Sequence, residues 1–86
     1  MPNTNRTEAQ RPLTAILWWD RTDPLNEGWA YSIGQDDSGE FLTGAGPDDV
    51  LEVAREALRG LSNRNVGRVR VWVDARTCRN FTQGDF

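Results

Sequence analysis

Eighty-six residues suffice for one small domain, and a single cysteine, Cys78, excludes an intrachain disulfide. The absence of histidine excludes His-based triads, Cys–His pairs and the usual zinc ligand sets. The net charge of −3 lacks the basic excess of a general DNA binder, and it is unevenly spread: residues 20–56 balance to −8, residues 59–79 to +5.

Residues 1–11 show no apolar period and are predicted as a flexible tail. A single domain then spans 12–75, with a C-terminal extension over 76–86. A core of that size rarely supplies more than ~3–5 kcal/mol, so a second copy or a partner is expected to add stability. No apolar run approaches ~18 residues and nothing resembles a signal peptide, so the expectation is a cytoplasmic protein without membrane contact. All ten basic residues are arginine, a side chain suited to planar contacts at interfaces.

The first predicted strand is 13–19, LTAILWW, set between Pro12 and a turn cluster. Residues 28–33, GWAYSI, alternate large apolar with small residues and predict a second strand. A hairpin turn over 35–39 leads to a third strand over 40–43. A helix is predicted from Pro47 to Arg59, with Val50, Ala54, Ala57, Leu58 and Leu61 on one apolar stripe and a left-handed stop at Gly60. Residues 68–74, RVRVWVD, alternate cleanly and predict a fourth strand. The order β-β-β-α-β gives an α+β fold: a two-layer sandwich with a mostly antiparallel sheet and one helix on one face.

The turn Gly44-Ala45-Gly46-Pro47 stands where a phosphate cradle would sit. No Lys or Ser/Thr follows as a P-loop needs, and Asp48 and Asp49 would repel an anion there. The turn is therefore expected to start a helix, with Gly46 as N-cap and Pro47 at the first helical position. No cofactor and no metal are expected. The acidic run 36–40 lacks the spacing of a calcium loop, and the pair Asp74 and Glu40 is the weak candidate for acid–base work.

Trp18 and Trp19 are strand neighbours and point to opposite sides of the sheet, of which one helix covers only one. With Leu13, Ala15, Leu17, Trp19, Val69, Val71 and Val73 facing the helix, the other face carries Ile16, Trp18, Arg68, Arg70 and Trp72. That patch is the expected partner or dimer interface, because tryptophan and arginine dominate binding hot spots. The competing expectation is that the C-terminal segment folds back and covers these rings with Phe81 or Phe86. Interleaved Trp and Arg also suit stacking of single-stranded bases, although the acidic stretch opposes a phosphate backbone.

Residues 35–58, QDDSGEFLTGAGPDDVLEVAREAL, resemble the segment typical of HicB-like antitoxins. Asp36, Gly39, Gly44, Asp48, Asp49, Leu51, Ala54, Glu56, Ala57 and Leu58 carry the likeness. Residues 28–32 look like the family's aromatic second strand, and the element order is similar. The chain departs from the pattern at Gln35 and Ser38, where prolines are usual, at Glu40 for a common Cys, and at Gly46 for a capping Thr. The resemblance implies a domain that binds and blocks a small RNase toxin, as a dimer. The expected function is thus a non-enzymatic inhibitor of a basic or nuclease partner protein. Its acidic partner-facing surface would be Asp36, Asp37, Glu40, Asp48 and Asp49, since complementary charge speeds encounter. The alternatives are a phage-encoded inhibitor of a nuclease-based defence and a single-stranded nucleic-acid binder.

Overall fold

The computed structural model describes residues 11–86; of the predicted tail, residues 1–10 lie outside the described part. Five strands and one α-helix are present among the described residues: β1 (Leu13–Asp20), β2 (Gly28–Ile33), β3 (Asp37–Glu40), α1 (Val50–Gly60), β4 (Val66–Trp72) and β5 (Cys78–Thr82). The sheet order is β3-β2-β1-β4-β5. Only β1 and β4 run parallel; every other neighbouring pair is antiparallel. The fold is α+β, a five-stranded sheet with α1 packed on one face.

The core follows from two periods meeting. In the strands, Ala15 and Leu17 of β1, Tyr31 and Ile33 of β2, Val69 and Val71 of β4, and Phe81 of β5 alternate onto one face and are buried. On α1, Val50, Val53, Ala54, Ala57 and Leu58 form the buried stripe, with Leu61 just beyond. Ala54 and Ala57 are fully buried and let the helix backbone approach the sheet closely, while Leu58 fills the space beside them. Burial of each large side chain such as Leu17 or Leu58 stabilises by about 1.5–3 kcal/mol.

Several boundaries differ from the sequence reading, each for a local reason. Gly34 takes φ 65°, a left-handed conformation that starts the turn one residue earlier than predicted and shortens it to 34–36, so β3 is Asp37–Glu40 instead of 40–43. Pro47 precedes the helix instead of opening it. It is the second residue of a turn closed by the Asp49 N–H donating to Gly46 O at 3.1 Å, and α1 begins at Val50 with Asp49 as N-cap. Gly60 ends α1 without a left-handed φ; the left-handed residue is Asn65, φ 62°, after a 3-10 turn over Ser62–Arg64. Leu13, expected to face the core, is 47% exposed at the start of β1, where the β1–β4 register shifts past Gly67. Val73, likewise expected inward, is 43% exposed because β4 ends at Trp72. The segment 76–86 is largely ordered structure: β5 pairs with β4 along Cys78–Thr82 and places Phe81 in the core.

Candidate functional site

Register fixes the composition of the face that α1 leaves open. Glu40, Ala30 and Trp18 are successive partners across β3, β2 and β1, and Trp72 pairs with Cys78 across β4 and β5. In the next row, Ser38, Ser32, Ile16, Arg70 and Asn80 are successive partners. Thr14, Arg68 and Thr82 follow. All five residues predicted for an interface therefore share one face. Ile16, Trp18 and Trp72 are half-buried; Arg68 and Arg70 are exposed, and Arg70 Nε donates to Asn80 Oδ1 at 3.2 Å.

The C-terminal segment does not seal these rings. Phe81 pairs with Val69 on the helix side and is 5% exposed. The Phe86 ring lies 6.0 Å from that of Phe81, and Gln83 Nε2 donates to Leu58 O at 3.4 Å, so the chain end runs along the helix layer.

The five acidic residues expected to form one surface are dispersed. Asp37 accepts from Tyr31 Oη and from Arg64 Nη1, both at 3.0 Å, and so fixes the β2–β3 hairpin to the 3-10 turn. The Tyr31 hydroxyl and Asp37 hold the Arg64 guanidinium above its ordinary pKa. Asp36 is exposed in the adjoining turn, and Glu40 is exposed on the open face. Asp48 and Asp49 stand at the start of α1, and the Asp49 carboxylate accepts the Gly46 N–H at 2.9 Å. With Ala45 N–H given to Thr43 Oγ1, two backbone donors that an anion would need are already used.

A second feature lies at the carboxyl ends of the parallel pair β1 and β4, where open sheets commonly hold ligands. A cavity of about 560 Å³ is lined there by Trp18, Trp19, Arg21, Pro47, Asp48, Trp72, Val73, Asp74 and Ala75. Trp19 is fixed by an edge-on contact with Trp29, centroids 5.7 Å apart, and by Nε1 donating to Glu27 Oε1 at 3.0 Å. Trp29 in turn donates from Nε1 to Gly46 O. Asp74 closes the turn between β4 and β5, its Oδ1 accepting from Arg76 N at 2.8 Å and Thr77 N at 2.9 Å. In the connection between β1 and β2, the Thr22 hydroxyl and backbone lower the pKa of Asp20, and the side chain of Asn26 and the backbone of Leu25 lower that of Asp23.

Sequence reading missed this cavity, because nothing in chain order says that β1 and β4 lie side by side. The available signal was the intervening helix, since parallel neighbours need a crossover. The same topology separates Glu40 from Asp74 by three strand spacings, roughly 14 Å, too far to share a proton or a metal. Among the described residues no group of three or more His, Cys, Asp or Glu side chains is placed to hold a metal ion, and no helix is long and apolar enough to cross a membrane. Comparison with protein-family models, curated proteins and solved structures finds no match to the chain.

Proposed function

We propose that the chain is a non-enzymatic protein-binding module, an antitoxin-like inhibitor that covers the functional site of a basic or nuclease partner. The observation that carries this reading is the uncovered sheet face, on which Trp18 and Trp72 remain half-buried beside exposed Arg68 and Arg70. Indoles in that state lose further water contact only when a second surface packs on them, and each brings a large, rigid contact area. Charge varies along the strands: Arg68 and Arg70 lie at one end of the face, while Glu40 and, around the cavity, Asp48, Asp74 and Arg21 lie toward the other, and those carboxylates are what a basic partner would meet. The HicB-like likeness of residues 35–58 belongs to this proposal, as does the cytoplasmic setting. A phage-encoded inhibitor of a nuclease-based defence would present the same face.

That polarity also favours a second reading, a homodimer. A two-fold axis across the strands sets each copy's Arg68 and Arg70 over the acidic end of the other. Single-stranded nucleic acid fits less well, since its phosphates would meet Asp48 and Asp74 beside the same tryptophans.

The test is titration of the chain against the basic protein it retains from its own cell, with RNA cleavage as readout. Stoichiometric loss of cleavage is expected, and Arg70→Glu should weaken it. Retention of RNA without protein, falling steeply with salt, would transfer the assignment to nucleic acid. Magnesium-dependent RNA cleavage by the chain alone would make it an enzyme.

A further inference from the structure

Three of the four tryptophans in the protein line a single cavity. We propose that this cavity is a receptor for an organic cation, the side chain of a lysine or arginine carried on a partner peptide. The identification of the carrier as a peptide rests on the protein-binding reading above; the preference for a cation does not.

Indole faces carry negative charge density and attract ammonium and guanidinium groups, most strongly where water is partly excluded. Trp18 and Trp72 bring their rings from the open face, and Trp19 comes from the helix side of the same strand end. Trp19 is held in place by Trp29 and Glu27, so at least one wall is preformed. Two carboxylates, Asp48 and Asp74, complete the lining. Asp74 is fixed by two backbone N–H groups to one of its oxygens, which leaves the other for a ligand. Asp48 is exposed.

Arg21 is the one cation in the lining, and Glu27 offsets it at 3.7 Å. The remaining lining charge is negative. An anionic ligand would face two carboxylates, and a wholly apolar one would leave them desolvated. The cavity volume of about 560 Å³ lies within the ~300–1,000 Å³ range of small-ligand sites, so a basic side chain enters together with its flanking backbone.

The experiment follows the four indole N–H signals of the intact chain by NMR. The cationic probe is Nα-acetyl-lysine methylamide, with its uncharged norleucine analogue and acetate as controls. Saturable shifts are expected at Trp18, Trp19 and Trp72 with the lysine probe, with the core residue Trp29 nearly unmoved. Asp48→Asn should weaken binding by about 2–5-fold, the scale of one exposed charge pair, and Trp72→Leu should abolish it. Equal response to the norleucine analogue, preference for acetate, or no saturation with the lysine probe would overturn the assignment. Probe binding in a chain that captures no protein would leave the cavity assignment standing and remove the inhibitor reading. Capture of a partner that is indifferent to Asp48→Asn and Trp72→Leu would do the reverse.

Discussion

Gly67 has the least room of any glycine among the described residues. A Cβ there would lie 2.7 Å from Pro12 Cβ, at the point where the β1–β4 register shifts. Gly67→Ala is therefore expected to destabilise the fold by about 1–3 kcal/mol, as overpacking does, and to lower the melting temperature. Gly28→Ala, with nothing within 4 Å of the added carbon, serves as the near-neutral control. Asn65 is limited by conformation instead of space. At φ 62° an alanine should cost about 1–2 kcal/mol, whereas glycine should be tolerated better. A third expectation concerns Asp20 and Asp23, whose carboxyls are held below their usual range by hydrogen bonds from Thr22, Asn26 and Leu25. Carboxylates depressed in this way stabilise the folded loop above the ordinary carboxylate pKa. The contribution disappears as pH falls through their lowered folded-state values. Amide exchange at Thr22 and Leu25, corrected for intrinsic rate, should rise on acidification before the core opens. Asp20→Asn should remove the effect at Thr22.

At the scale of elements, the strands with clean alternation are legible in the sequence. β1, β2 and β4 and the stripe of α1 follow directly from period two and period 3.6. That Ile16, Trp18, Arg68, Arg70 and Trp72 share the face opposite α1 was legible for the same reason, since alternation alone assigns their face. What escaped was set by pairing or by turn chemistry. β5 reads CRNFT, with only Phe81 buried, and an edge strand with one core contact has too little pattern to declare itself. The start of α1 slipped because Pro47 suits a turn's second position as well as a first helical turn. The five acidic residues looked like one surface because they are close in sequence; the fold sends them to opposite ends of the sheet. β5 makes its own test. Phe81→Ala should cost about 3–5 kcal/mol, comparable to the whole stability of so small a domain, and leave the chain largely unfolded by circular dichroism. Phe86→Ala, removing a ring that is 48% exposed, should shift the melt far less.

For the molecule as a whole, a five-stranded sheet carries its one described helix on one side, and the consequence is an asymmetric surface. The helix layer is closed by α1 and by the chain end that runs beside it. The opposite layer presents Trp18 and Trp72, with Arg68 and Arg70 toward one end and the cavity, lined by Asp48, Asp74 and Arg21, at the other. A docking function makes a directional claim: partner contact belongs to the sheet side and not to the outer face of α1. Site-directed photocross-linking in the protein's own cell tests this directly, with benzoylphenylalanine placed at Trp72 or, as control, at Leu51, which is 55% exposed on α1. A discrete protein adduct is expected from position 72, none from position 51, and loss of the adduct on adding Arg70→Glu. Adducts from position 51 alone, or from position 72 to nucleic acid alone, would contradict the directional claim.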